Sequence, residues 1–340
     1  MENAPSPSSN DKQNKTLIRR ILFTLIALFC VAAIIVLADY YVVFDTIIGL
    51  SYQPSSEIAT IFEHIDLTSK GERILRASRA ELQNAENFNT NCSNSTNEIS
   101  VLGCYHDWRI YIYNIENEEL DGIKETVLAH ELLHAVWQRE KSWTKDELKS
   151  LLRKTYDDYK NGLEEHMKNY SDENFVDELH SVIGTQIEPS SLPIKLRNHY
   201  AEIFRNHGQI VAYFDKYNDK FLSLRKKLSE TSAKINSMKK EIESKRVTYY
   251  KKAKTLSDDI DIFNSNAAHG YYNNNKTQLD YDRVKLVARQ DALNEEFQEL
   301  NVLINETNKL IEEHNRNVAR SNELYGSINS NIKKVDSVEK

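Results

Sequence analysis

Apolar and polar residues alternate along this chain with three different patterns, and each predicts a different element. Residues 21–38 are apolar throughout and carry no charge. As a helix at 1.5 Å per residue they span ~27 Å, close to the thickness of a bilayer's hydrocarbon layer. A period of two is clear at Arg109-Ile-Tyr-Ile-Tyr-Asn-Ile115, with Ile110 and Ile112 on one face and Tyr111 and Tyr113 on the other, which predicts a strand. Elsewhere the helical period dominates. It predicts two short helices over 58–82, separated at Gly71, and a helix entered through the Asp121-Gly122 turn and running to about Gln138. Thr144 and Glu147 have the spacing of a capping box opening a helix through Leu148, Leu152, Tyr156, Leu163 and Met167. Ser171 is placed to cap a helix over 172–183 that Gly184 ends, with Phe175, Leu179, Val182 and Ile183 as its buried stripe. Pro193 opens another, carrying Leu196, Tyr200, Ile203 and Phe204.

From Asp215 onward, 3-4 spacing runs from Phe221 to Tyr249 and again from Leu286 to Tyr325, joined by a polar loop at 264–276. Two such runs predict an antiparallel helical hairpin or coiled coil, each arm ~75 Å long. Thr231, Lys245, Thr307, His314 and Ser321 interrupt the seam and help set its register. Association of the two runs between chains is the alternative.

Lys12, Lys15, Arg19 and Arg20 precede the apolar run, and Tyr40 and Tyr41 follow it. That charge bias puts the N-terminus in the cytoplasm and the rest of the chain outside, as a single-pass protein of the cell membrane. A cleaved signal peptide ending near Ala38 is the competing reading. Cys30 lies within the run, and Phe29 before it is too large for a lipoprotein signal. Cys92 and Cys104 frame a polar loop. Outside the cell they are expected to bond, with a free buried pair as the alternative. The fold class is therefore α+β, mostly helical. It comprises a disordered stub at 1–20, a membrane helix at 21–44, a small domain with a short sheet at 46–212, the hairpin at 215–326 and a disordered tail at 327–340. Net charge is −7 and the isoelectric point about 5.9, without a basic patch, which excludes nucleic acid as the main partner.

The chemistry concentrates in the helix entered at Gly122. His130 and His134 stand at i and i+4, so both imidazoles leave one face, and Glu131 lies beside them. Val127, Leu128, Leu132, Leu133 and Val136 surround the three. Buried polar groups need partners, and a shared cation is one. A core helix with two satisfied histidines is the plain alternative. Glu178 lies on the flank of the apolar stripe of its helix, where a metal held by His130 and His134 would satisfy it. His180 is the second choice there, and a solvated Glu178 the bland one.

The segment around His130, Glu131 and His134 resembles the zincin metallopeptidase signature. Glu178-Leu-His-Ser181 resembles the helix on which gluzincins carry their third, glutamate ligand. The resemblance covers about 105–205 and implies a small zincin-like domain. It also implies zinc (Zn2+) on His130, His134 and Glu178, Glu131 as general base, and a peptide or protein substrate. The strand at 109–115 resembles the edge strand along which zincins pair an extended substrate. His199, Tyr200 and His207 are of the type that such enzymes aim at the oxyanion, Tyr200 foremost. Val182 departs from the pattern, because many gluzincins carry there an Asp that orients a ligand histidine. Asp177 is the substitute within reach. The reading from another class is a membrane-tethered scaffold with a structural or inactive metal site, binding a protein partner or itself through the hairpin.

Overall fold

The computed structural model describes residues 9–38, 40–92, 102–168, 170 and 172–330. Within them the chain is mostly helical with one small three-stranded sheet. It divides into two compact units, one made of residues up to 217 together with 327 onward, the other of 218–326.

The first unit opens with α1 (Ser9–Ala38) and α2 (Tyr40–Ser51). Helix α1 begins at Ser9, so residues 9–20, expected to be disordered, are helical. Among the described residues no helix is long and apolar enough to cross a membrane. Of the expected span, the side chains at 32 and 34–38 lie outside the described residues. Two short helices follow, α3 (Ser56–His64) and α4 (Ser69–Ala77), whose first turns donate N–H groups to the side chains of Ser55 and Thr68. The break between them falls before Thr68 and not at Gly71. That glycine sits inside α4, where a Cβ would lie 2.5 Å from the Ile203 carbonyl oxygen. It is there for a close approach.

Strands β1 (Glu81–Gln83), β2 (Gly103–His106) and β3 (Arg109–Tyr113) form the sheet, with α5 (Ala85–Asn91) between the first two. The order is β1-β3-β2, with β1 parallel and β2 antiparallel to β3. The alternating strand is therefore central, with both edges occupied. This corrects the expectation that it is an edge for an incoming chain. Its alternation reports burial on both faces. Ile110 and Ile112 lie in the main core, while Tyr111 and Tyr113 pack on a satellite cluster of Phe88, Cys92 and Cys104. Cys92 and Cys104 are bonded, with Cα atoms 5.9 Å apart, tying the end of α5 to β2.

Helix α6 (Ile123–Arg139) is the axis of the unit. Its entry residue Gly122 has φ +94°, and a Cβ there would meet the Tyr213 carbonyl oxygen at 2.9 Å. The helix is buried on nearly every side, Leu128, Leu132, Leu133 and Val136 completely, as a core helix must be. Helix α8 (Asp172–Gln186) packs directly on it, α7 (Ser142–Met167) packs on α8, and α9 (Ile194–Ala201) packs on α7. Helix α7 starts two residues before Thr144, with no side-chain cap, and Glu147 pairs with Lys195 instead of closing a capping box. The expected cap Ser171 lies outside the described residues. Gly184 does not end α8. A Cβ at that position would lie 2.5 Å from Leu133 Cδ1 and 2.6 Å from Tyr200 Cε1, so the glycine lets α8 approach α6 closely.

The second unit is the expected antiparallel hairpin, built from α10 (His207–Ala268) beyond residue 217 and α11 (Lys276–Ser327) up to residue 326. Facing pairs run in one register from Phe221–Tyr325 through Thr231–His314 and Tyr249–Phe297 to Asp259–Arg289. Thr231 and His314, polar positions in the seam, meet at 2.8 Å. The turn is tighter than the polar loop suggests, because α10 continues through Ala268.

Candidate metal centre

Helices α6 and α8 bring His130, His134 and Glu178 together with their ligand atoms within 4.8 Å of one another. His130 Nε2 and His134 Nε2 are 3.2 Å apart. Glu178 reaches both, Oε1 lying 3.3 Å from His130 Nε2 and Oε2 3.3 Å from His134 Nε2. Four ligands placed tetrahedrally about 2.0–2.1 Å from a small cation stand roughly 3.3 Å from one another. The His130–His134 separation and the distance from each imidazole to its nearer Glu178 oxygen are close to that edge length, so the group could hold a metal ion. Imidazole-rich donors suit transition metals rather than calcium or magnesium. The group is largely sequestered, with the Glu178 side chain only 5% exposed.

Two of the three members are held by further side chains. His134 Nδ1 donates to Asp177 Oδ1 at 2.8 Å, which points the lone pair of Nε2 into the group. Asp177 precedes Glu178 on α8, so one turn of helix supplies both a donor to the group and the support for a neighbouring ligand. His166 Nε2 lies 2.7 Å from Glu178 Oε1 and steadies that carboxylate from α7. The sequence offered no sign of His166, which has no ligand-like spacing to the other candidates.

The electrostatics follow from these contacts. Burial pulls the His134 pKa down, but the carboxylates of Asp177 and Glu178 outweigh it and hold the imidazole well above its ordinary value. Burial pushes Glu178 up, yet His130, His134 and His166 together hold it well below the usual carboxylate range. For His130 burial wins, and its pKa is lowered. A proton on His134 and the charge on Glu178 thus balance each other where a cation would sit.

Glu131 is buried beside the pair, and its position is set by the sheet. A Cβ on Gly103 of β2 would come within 2.8 Å of both Glu131 Cγ and Oε1. Only a glycine at that point of the edge strand leaves room for the carboxylate.

The remaining candidates lie elsewhere. Tyr200 is completely buried and donates its hydroxyl hydrogen to the His180 carbonyl oxygen at 2.8 Å. This corrects its expected role as an oxyanion donor, because the one proton it has to give is held by the main chain. His180 and His199 bind each other through their Nε2 atoms at 2.9 Å, and His207 Nε2 donates to the Gly184 carbonyl oxygen at 2.7 Å. None of the three joins the metal group.

Fold and site together define a mostly helical protein with a small sheet and a three-residue group able to hold a metal ion. Compared with known proteins, the chain matches no family model, no curated protein and no solved structure.

Proposed function

We propose that this protein is a zinc-dependent peptidase held at a membrane by its N-terminal helix, with the bulk of the chain outside the cell. The observation that carries the reading is the convergence of His130, His134 and Glu178 at 3.2–3.3 Å, with Glu131 one residue from the first ligand. Those three side chains would hold the ion. Zinc bound by three protein ligands lowers the pKa of a water and polarises a carbonyl. The chain's own residues supply the rest. Glu131, fixed against Gly103, takes the proton of the attacking water and returns it to the leaving amine nitrogen. Asp177 keeps His134 in the tautomer whose Nε2 faces the site, and His166 keeps the Glu178 carboxylate in place.

The membrane part rests on the uncharged run at 21–38 and its basic N-terminal flank. Apolar side chains of α1 such as Phe23, Leu28 and Phe29 are more than half exposed, with no protein cover. A bond between Cys92 and Cys104 also suits an oxidising compartment. The hairpin at 218–326, a compact unit of its own, is the part available to bind a protein partner. The test is elemental analysis of the purified chain together with hydrolysis of a peptide library. One zinc per chain, with cleavage abolished in Glu131→Gln while the metal stays, supports the enzyme. Metal without cleavage leaves a scaffold with a structural ion, and a chain that takes up no metal refutes the reading.

A further inference from the structure

Helix α2 is inverted relative to a helix that faces water. Its one charged residue, Asp45, is buried together with Gly49, and the carboxylate accepts three hydrogen bonds from the Arg139 guanidinium at 2.9–3.0 Å. The opposite side carries Tyr40, Ile47 and Leu50, with Ile47 65% and Leu50 81% exposed, while Tyr41 and Val42 are exposed on the flanks. Polar groups on that side are already satisfied by the helix. Thr46 donates to the Val42 carbonyl oxygen at 2.6 Å, and Ser51 to that of Ile48 at 2.8 Å. A surface helix in water would turn Asp45 outward and Ile47 and Leu50 inward.

The tip of the β2–β3 hairpin lies beside the Tyr41 and Phe44 edge of the same helix. Its two turn residues, Asp107 and Trp108, both have positive φ (+49° and +65°), a backbone that Asn and Gly adopt most easily and a bulky side chain rarely does. Trp108 is held there with its ring 6.0 Å from Tyr41 and 5.9 Å from Phe44, while the Arg139 guanidinium lies 5.0 Å from the ring centre.

We propose that α2 and Trp108 form a platform that lies in the headgroup region of a lipid bilayer. The chain itself argues for this occupant. The uncharged run ends at residue 38, and α2 is 12 residues long, so its whole apolar face lies within ~18 Å of the membrane boundary. Tyr and Trp prefer that depth, and a helix with one apolar face lies flat in it. A protein partner is the weaker fit, because such interfaces carry a hydrogen bond every 100–200 Å² or so, and this face offers little beyond tyrosine hydroxyls. The occupant argument rests on reading 21–38 as a membrane span. Through Asp45 and Arg139, the platform ties the metal-bearing helix α6 to the bilayer surface.

The experiment is depth measurement on the full chain in vesicles of phosphatidylcholine and phosphatidylglycerol. A nitroxide is placed on a cysteine at 47 or 50 in a Cys30→Ser background, Cys92 and Cys104 being bonded. References are labels at Leu25 in α1 and at Trp143, 70% exposed on α7. Labels at 47 and 50 are expected to be relaxed by oxygen in preference to a water-soluble nickel complex, as at 25 and unlike at 143. If 47 and 50 behave like 143 while 25 is in lipid, the platform is wrong and the anchor stands. If 25 is in water, the anchor fails. The platform then survives on a lipid signal at 47 and 50 and falls without one. Spin–spin broadening that persists on dilution with lipid would show a second copy covering the face, which also overturns the proposal.

Discussion

Two histidine groups lie on either side of α8, and they use the same side chain in opposite ways. His130 and His134 face Asp177 and Glu178. His180 and His199 face each other, and these two with His207 otherwise meet a main-chain carbonyl and the rings of Trp137, Tyr200 and Phe204. Burial lowers the pKa of all three in the second group, His180 furthest. In the first group carboxylates reverse that effect for His134. Imidazoles that no carboxylate contacts behave as polar core residues, and at His199 burial outweighs the more distant charges of Glu140 and Glu202. An imidazole oriented by a carboxylate, with its other nitrogen turned to a second carboxylate, is prepared for a cation.

The largest effect that tests this contrast is chemical. Glu131→Gln should lower peptide hydrolysis by about 10²- to 10⁴-fold with metal content unchanged, read by turnover and elemental analysis side by side. Residual activity near that of the native chain would take the base role from Glu131. Next, Asp177→Asn should weaken metal binding by roughly 10- to 100-fold, measured by competition with a chromophoric chelator. Equal affinity would mean that His134 needs no orienting partner.

Protonation separates the two groups directly. In the metal-free chain, histidine ring resonances followed by NMR should place His134 above the ordinary value of about 6.5 and His180, His199 and His207 below it. The signs of their stability contributions are opposite. That of His134 is complete below pH ~6.5 and is lost as pH rises through its folded pKa, whereas the other three cost stability as pH falls below ~6.5, because the unfolded chain then binds more protons. The raised pKa of His134 also means that protons compete for Nε2, so metal affinity should begin to drop at a pH above the ordinary imidazole value as pH falls through that raised pKa. A common pKa for all these rings would erase the distinction. The smallest effect is Tyr200→Phe. Losing the bond to the His180 carbonyl should cost about 1 kcal/mol of stability with hydrolysis unchanged. A tenfold loss of turnover at unchanged stability would return Tyr200 to the reaction.

Much of the first group is legible along the chain, because it obeys local geometry. Spacing of four on a helix aligns His130 and His134 whatever else the chain does, and a carboxylate on an apolar helix such as Glu178 calls for a partner. Asp177 could be named as a support because it adjoins Glu178. His166 could not, since its approach to Glu178 depends on how α7 crosses α8. Tyr200 had the right side-chain type, but type carries no direction, and packing sent its hydroxyl to a carbonyl. Glycines misled for a related reason. Gly71 and Gly184 look like helix breaks, yet they serve contacts with Ile203, Leu133 and Tyr200 from distant segments. The alternation in β3 announced a strand, but burial on two unlike faces reads the same as an edge strand with one face to solvent.

By itself, the sequence determined the elements whose cause is periodic: most of the helices though not α2 or α5, the one clear strand, the spacing of each hairpin arm and the i, i+4 histidine pair. These depend on residues within a few turns of each other, where 1.5 Å per residue and 3.6 residues per turn leave little freedom. Tertiary structure alone decided that β3 is central, that Glu131 shares space with Gly103, that His166 supports Glu178 and that α2 turns its apolar face outward. Each is a meeting of segments remote in the chain, settled by shape and by the need of every buried polar group for a partner.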